Sequence, residues 1–346
     1  MTTDLFTQQA QNRRRSVWLV AGFVAFFAWL GFGGDYIAWM YTASADAEAY
    51  HHTFPWLGVV MTAFALGTAA YAWSRGPERV LWSTGAREIV HPQTEQEREL
   101  VNVVEEMSVA SGLPRPRIWI IADPDPNAFA TGRDEHSAHV AVTDGLLDLL
   151  DRNELQGVIG HELGHIKNLD VRLMTLLAAM VGAVALISDG LWRLMRGGPR
   201  MHSSGSRRGG KKGGSPVLLI LLILWVVSWL LAPLVTRLLA LGVSRKREYL
   251  ADAMSAQFTR NPLALASALH KIEHAAAPTR TIKRGSAHLC IADPLGRGAN
   301  LREGFLSGLF GTHPPMAIRV ARLKAMGYAQ DKRAGAAAEP LVGSDA

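Results

Sequence analysis

His161-Glu162-Leu163-Gly164-His165 is an H-E-x-x-H motif, and its spacing has a direct chemical meaning. On a helix, side chains four residues apart lie one above the other on the same face. Both imidazoles can therefore bind one metal ion, with the carboxylate of Glu162 beside the open position of that ion. This pattern is typical of zinc sites in which a carboxylate takes the proton of a water molecule.

The residues around the motif predict a helix with one buried side. Apolar residues recur at helical spacing between Leu155 and Ile166. Asn153 is a suitable N-cap, and Gln156 three residues later fits a capping box. We therefore expect the motif to lie inside a helix that begins near residue 153.

A zinc site with two histidines needs a third protein ligand. The metzincin pattern is absent, because Asn168 and Val171 stand where it requires Gly and His. Further along, Glu248 and Asp252 are four residues apart and share a helix face. We expect Glu248 to complete a His2Glu ligand set and Asp252 to accept an N–H from a ligating imidazole. The alternative is a solvated helix on which both acids lie among basic neighbours.

Four separated motifs together resemble the HtpX family of bacterial membrane-bound zinc metalloproteases, which are relatives of the CAAX prenyl proteases. They occur in the family's order and comprise residues 127–132 (NAFATG), 161–170 (HELGHIKNLD), 248–252 (EYLAD) and 313–315 (HPP). The resemblance runs from the first hydrophobic segment to about Met326. It implies a gluzincin-like core of helices with a small β-sheet, one zinc ion per chain, and proteolysis of membrane proteins in quality control.

The resemblance also implies roles for residues outside the zinc ligands. In the family, an edge strand lines the active-site cleft and binds an extended peptide by strand addition. Here that strand would comprise Asn127, Ala128, Phe129, Ala130 and Thr131. The alternative for this segment is an ordinary hairpin strand.

His313 would approach the catalytic site and stabilise the oxyanion of the tetrahedral intermediate, with Arg319 in support. This role is implied by the resemblance to the family. The alternative is that His313 is a loop histidine that caps the last helix.

Uncharged apolar stretches predict a mainly α-helical membrane protein. Apolar residues make up 49% of the chain, and four stretches lack charge: residues 17–34, 53–74, 173–188 and 213–236. A membrane span requires roughly 17–25 residues, so the third stretch is marginal. We expect about four transmembrane segments. A cleaved signal peptide is the alternative for the first, but Asp35 and an aromatic patch separate it from the cleavage-like sequence at residues 43–45.

The distribution of charge predicts the orientation in the membrane. Three arginines at positions 13–15 precede the first segment, whereas the loop after it carries Asp35, Asp46 and Glu48 without Lys or Arg. The N-terminus and the motif are therefore expected in the cytoplasm, on a multi-pass protein of the bacterial inner membrane. The basic loop 197–214 conflicts with this rule if the last two segments both cross. The excess of six basic residues is better explained by membrane topology than by a nucleic-acid partner, so nucleic-acid binding is not expected.

The predicted organisation has five parts. They are a transmembrane hairpin (1–74), the first part of a cytoplasmic catalytic domain (75–172), a second hydrophobic hairpin (173–243), the second part of the catalytic domain (244–327) and a disordered tail (328–346). The expected partners are protein substrates, in particular membrane proteins, and the lipid bilayer. The sequence does not fix an oligomeric state.

Two other sequence features could be mistaken for functional sites. His270 and His274 have metal-ligand spacing, but Lys271 follows His270 and a third ligand is lacking, so both are expected to be exposed. The lone Cys290 is expected to be a small buried residue.

Two other functions compete with this interpretation. One is a CAAX-type prenyl-protein endopeptidase, but that family has more membrane spans than four. A non-catalytic membrane scaffold with structural zinc does not require Glu162.

Overall fold

The computed structural model describes residues 5–43, 51–180, 245–275, 279, 281, 289–292 and 314–338. The chain divides into two compact units. The first comprises the described residues of Met1–Arg15, Arg75–Ala178 and Ala240–Ala346, and the second those of Ser16–Ser74 and Ala179–Leu239. His313, the basic loop 197–214 and the apolar stretch 213–236 lie outside the described residues.

Helices account for most of the described residues, and one small sheet accompanies them. The helices are α1 (Leu5–Thr42), α2 (Trp56–Ser83), α3 (Glu95–Ser111), α4 (Asp144–Leu149), α5 (Arg152–Lys167), α6 (described over 170–180), α7 (Arg245–Thr259), α8 (Pro262–His274) and α9 (Met316–Ala338). The strands are β1 (Arg87–Glu88), β2 (Arg117–Ile121), β3 (Ala128–Thr131) and β4 (His139–Thr143).

The sheet in the first unit has the order β1-β2-β4-β3, so β3 lies at one edge. Strands β2 and β4 are parallel, whereas β3 pairs antiparallel with β4, with Ala130 opposite Val140. Every residue of β3 and β4 is buried. The hydrophobic core joins the sheet to α3, α5 and α8, and its fully buried members include Leu100, Val103, Val140, Ile159, Leu163, Leu265 and Leu269.

Helix α5, which carries the H-E-x-x-H motif, begins earlier than the sequence predicted. Asp151 is its N-cap, and it exchanges hydrogen bonds of 3.0 Å with Glu154 in a capping box. The prediction of Asn153 as N-cap is therefore wrong. Asp151 and Glu154 form the same pattern two residues earlier, and Glu154 is held further by hydrogen bonds from Ser267 and Lys271 of α8.

Glycines on one face of α5 let helix α7 pack closely against the backbone of α5. A Cβ added at Gly164 would lie 3.2 Å from the Cα of Ala251, and one at Gly160 would lie 3.1 Å from Oγ of Ser255. Ser255 in turn donates a 2.6 Å hydrogen bond to the carbonyl of Gly157. This contact brings the residues of α7 alongside the motif histidines.

Helices α1 and α2 are the two candidate membrane spans among the described residues. Only 22% of the most apolar window of each helix is buried within the protein, unlike the core helix of a soluble protein. The charged Asp35 was predicted in the loop between them, but it lies within α1. Its carboxylate accepts the backbone N–H groups of Leu57 and Gly58 at 3.2 and 2.5 Å, and so caps the first turn of α2.

The last helix extends beyond the predicted start of the disordered tail. Residues 328–338 continue α9, so the prediction of disorder is wrong for them. The end of this helix is rich in alanine, the residue with the highest helix propensity. Residues 339–346 lie outside the described part of the chain.

Candidate metal centre

Three side chains predicted as metal ligands converge between α5 and α7. The Nε2 atoms of His161 and His165 are 3.2 Å apart. The carboxylate oxygens of Glu248 lie 3.7 Å from Nε2 of His161 and 3.5 Å from Nε2 of His165. Ligand atoms around a tetrahedral zinc ion are separated by about 3.3 Å, given bonds of about 2.0–2.1 Å. The spacing therefore fits a zinc ion, and no other such group of three occurs among the described residues.

Each of the two imidazoles has a carboxylate behind it. Oδ1 of Asp252 lies 3.0 Å from Nδ1 of His161, and Oδ2 of Asp170 lies 3.2 Å from Nδ1 of His165. These carboxylates hold a proton on Nδ1, so the lone pairs of both Nε2 atoms face each other and Glu248. Such an arrangement needs a positive charge at its centre, which is a proton in the metal-free state or a metal ion.

The pKa values of the two histidines reflect these surroundings. Burial lowers the pKa of His161 to about 4, although the hydrogen bond to Asp252 opposes this. Burial also acts to lower the pKa of His165, but the hydrogen bond to Asp170 and the charge of Glu248 prevail and raise it to about 9. The hydrogen bond to Asp170 and the charge of Glu248 thus favour the protonated form of His165 in the metal-free site, and a metal ion would displace that proton.

Glu162 is suited to accept a proton beside the ligand set. Its side chain is only 1% exposed, and burial raises its pKa to about 7, with a further contribution from the charge of Glu248. A hydrogen bond from the backbone N–H of Ala130 opposes this shift. Its buried Oε1 atom has no hydrogen-bond partner among the described residues. A general base works best when its pKa lies near the working pH.

Arg319 of α9 completes the charged cluster. Its Nε and one terminal nitrogen donate to the two oxygens of Asp252 at 3.0 and 2.7 Å. Its other terminal nitrogen donates to the carbonyl of Ile291 at 3.2 Å and lies 3.3 Å from Oε2 of Glu248. Burial acts to lower the pKa of Arg319, but the neighbouring carboxylates raise it further above its usual value. Arg319 thus fixes the carboxylate that orients His161.

The segment predicted to line the cleft lies beside Glu162. Residues 128–131 form the edge strand β3, and Asn127 precedes it. The carbonyl of Ala128 accepts the N–H of Ile291 at 2.9 Å on the side away from β4, and the N–H of Ala130 points to Glu162. Residues 128 and 130 therefore direct their backbone groups away from the sheet, as alternation along a strand requires.

Other sequence predictions have clear outcomes. His270 and His274 are exposed on α8, where the Nδ1 atom of His274 bonds to the carbonyl of His270 at 2.8 Å. Cys290 is buried, as predicted. Asp170 was not predicted as a site residue, although it lies only five residues after His165 and contacts it.

Comparisons with known proteins identify the family of this chain. Residues 94–327 match the model of peptidase family M48. A protease HtpX homolog of Dictyoglomus thermophilum is 45% identical over 257 residues, which cover 74% of this chain and 78% of that protein. A protease HtpX homolog of Streptococcus gordonii is 38% identical over 326 residues, covering 93% of this chain and 100% of that protein.

Among solved structures, Ste24p of S. mikatae is 17% identical, with a TM-score of 0.43 over 88% of this chain and 66% of that one. The family assignment rests on the sequence matches, which include the H-E-x-x-H motif and Glu248 within the matched residues. The chain belongs to peptidase family M48 and is a membrane-bound metalloendopeptidase of the HtpX type.

Proposed function

We propose that this protein is a zinc endopeptidase of the bacterial inner membrane that hydrolyses misfolded or damaged membrane proteins. The observation that carries the proposal is the convergence of His161, His165 and Glu248 beside the buried carboxylate of Glu162. A purely structural zinc site has no use for a buried carboxylate whose pKa is raised to about 7. The position of Glu162 therefore favours catalysis over a scaffold role.

Each residue of the site has its own role in the proposed reaction. His161, His165 and Glu248 would hold zinc, which when bound polarises a carbonyl and makes water more acidic. Glu162 accepts the proton of the attacking water and transfers it to the nitrogen of the leaving amine. Asp252 and Asp170 keep the proton of each imidazole on Nδ1, and so keep both Nε2 atoms available.

The substrate backbone would bind along the outer edge of β3 on the side of Ala130, since the carbonyl of Ala128 already accepts the N–H of Ile291. Strand addition recognises main-chain hydrogen-bonding groups, and it therefore tolerates many sequences. Ala130 is the residue of this edge that lies nearest to the proton acceptor, since its N–H bonds to Glu162. This placement suits a protease that must act on diverse damaged proteins.

The proposed location rests on the N-terminal part of the chain. Helices α1 and α2 have the length and apolar composition of membrane spans. The arginines at positions 13–15 favour a cytoplasmic N-terminus, and His161 is expected on the same side. The third and fourth apolar stretches would add a second hairpin, which makes the protein multi-pass.

The experiment uses the purified full-length protein in detergent and a membrane-protein substrate that has been destabilised by mutation. A chelator should stop cleavage, added zinc should restore it, and mass spectrometry of the products should find cuts at several internal sites. Cleavage of a prenylated CAAX peptide at the bond after its cysteine, without cleavage of the membrane protein, would instead identify a CAAX-type enzyme. Cleavage that survives both the chelator and Glu162→Gln would refute the zinc mechanism.

A further inference from the structure

The first turns of α1 contact the end of the catalytic helix α5. The side-chain amide of Gln9 donates a 2.7 Å hydrogen bond to the carbonyl of Lys167. The amide of Asn12 donates at 2.9 Å to the carbonyl of Asn168, the residue that caps the end of α5. The last carbonyls of a helix lack partners within the helix, so these two side chains complete its C-terminus.

Asn12 also reaches the carboxylate behind His165. The same amide nitrogen lies 2.7 Å from Oδ1 of Asp170, whose other oxygen, Oδ2, lies 3.2 Å from Nδ1 of His165. Asn12 is 1% exposed and Asp170 is fully buried, so solvent does not weaken these bonds. A continuous chain of polar contacts thus runs from α1 through Asp170 to a metal ligand.

The backbone between His165 and Asp170 is strained, so this series of polar contacts depends on support from another segment of the protein. Leu169 has a φ of 57°, in the left-handed region that a side chain with a Cβ rarely adopts. This turn folds Asp170 back onto the end of α5. Strained backbone of this kind persists only where neighbouring contacts hold it, and Asn12 bonds to residues on both sides of Leu169.

We propose that Asn12 is a positioning residue of the metal centre, which holds the carboxylate of Asp170 against Nδ1 of His165. The N-terminal segment then serves the catalytic site directly, in addition to directing the orientation in the membrane. The inference rests on the proposed zinc site, because Asn12 acts on zinc only through Asp170 and His165. Its effect is an increase in metal affinity, which can be measured without substrate.

The test measures zinc affinity of the full-length protein by competition with a chromophoric chelator. Asn12→Ala should weaken zinc binding about tenfold, the low end of the usual effect of losing a partner behind a ligand. Gln9→Ala is the matched control, since it removes a hydrogen bond from α1 to α5 without touching Asp170. It should change zinc affinity by less than about twofold.

A double-mutant cycle separates positioning from general stabilisation. In an Asp170→Ala background, Asn12→Ala should have almost no further effect on zinc affinity, because the side chain that links Asn12 to His165 is absent. Equal losses in Asn12→Ala and Gln9→Ala, or fully additive losses in the cycle, would overturn the proposal. Should Asn12→Ala fail to fold, Asn12→Ser, whose shorter side chain does not span the distance to Asp170, replaces it in the same cycle.

Glu248→Ala separates a failure of this proposal from a failure of the zinc site itself. If the wild type and Glu248→Ala bind zinc equally, the zinc site is wrong. If Glu248→Ala loses zinc and Asn12→Ala retains it at wild-type affinity, only the role of Asn12 is wrong.

Discussion

Asp252 lies with Oδ1 only 3.0 Å from Nδ1 of His161, although the two residues belong to different helices. Arg319 holds the same carboxylate with two hydrogen bonds, so Asp252 cannot turn away from the imidazole. The contact keeps the proton of His161 on Nδ1, which leaves Nε2 free to bind a metal ion. The orientation of one ligand therefore depends on residues from three helices, α5, α7 and α9.

Glu162→Gln should separate metal binding from chemistry. The amide has nearly the same shape as the carboxylate, so zinc content and fold should persist, but it cannot accept the proton of the attacking water. We expect proteolysis to be abolished. Zinc content by metal analysis and cleavage of a denatured protein substrate provide the measurement, and turnover above about a tenth of wild type would refute the role of Glu162.

Loss of the acidic residues should weaken zinc binding by different amounts. Glu248→Ala removes a ligand and should lose most of the bound zinc, whereas Asp252→Ala should lower affinity by roughly 10–100-fold. His270→Ala is the matched control, because His270 has ligand spacing but is exposed on α8. Metal analysis that finds zinc lost from the His270 variant and kept by the Glu248 variant would show that the site is misplaced.

Gly164→Ala should disturb the metal centre without changing any polar group. Its new Cβ would lie 3.2 Å from the Cα of Ala251 and 3.3 Å from the carbonyl oxygen of that residue, so α7 must shift together with Glu248. We expect lower zinc affinity and a stability loss of about 1–3 kcal/mol. Gly67→Ala is the control, since a Cβ there meets no atom within 4 Å. Equal behaviour of the two variants in thermal unfolding and zinc titration would contradict this account.

His139 should make the fold sensitive to mild acid. Burial lowers its pKa to about 4, and its Nδ1 accepts a 3.0 Å hydrogen bond from Trp119. The unfolded chain takes up this proton near pH 6.5 and the folded chain only near pH 4, so stability falls as the pH drops through that window. At pH 5 the expected loss is about 2 kcal/mol.

The measurement compares wild type and His139→Gln by thermal unfolding at pH 7 and pH 5, with a chelator present so that metal release is the same in both. Glutamine can still accept the hydrogen bond from Trp119 but does not titrate. The variant should lose less stability on acidification. Parallel pH dependence in the two proteins would mean that His139 is not the group responsible.

The topology can be tested with single cysteines at Ser44 and Ser204 in a Cys290→Ser background. Four full spans with a cytoplasmic N-terminus place both positions on the outer face, because each lies between two apolar stretches. A thiol reagent that does not cross membranes should then label both in intact cells. Labelling at Ser44 alone would refute the four-span arrangement, and labelling at neither would reverse the orientation.

The grouping of the candidate ligands was predictable because these residues obey helical spacing. His161 and His165 are four residues apart within α5, and Glu248 and Asp252 are four apart within α7. Each pair therefore shares a helix face whatever the rest of the fold does. Residue spacing alone does not predict the antiparallel pairing of β3 with β4, and the edge position of β3 was expected only through the family resemblance.

Contacts that depend on a break in the helix or on distant chain segments were not predictable. Asp170 is five residues after His165, and helical spacing does not predict their contact because α5 ends at Lys167 and the chain turns at Leu169. Asn12 has no sequence signal, since nothing near it in the chain identifies its partner. The capping error at Asn153 has another cause, because two overlapping patterns fit a capping box and tertiary contacts of Glu154 decide between them.

The two halves of the metal centre are synthesised far apart in time. A nascent polypeptide that has emerged as far as residue 180 contains both imidazoles and Glu162, but it lacks Glu248, Asp252 and Arg319. Such a fragment has no complete ligand set and no clamp for the orienting carboxylate. On the proposed ligand set, hydrolytic activity requires a chain that extends beyond Glu248, so an N-terminal fragment that ends before this residue is expected to be harmless to the proteins around it.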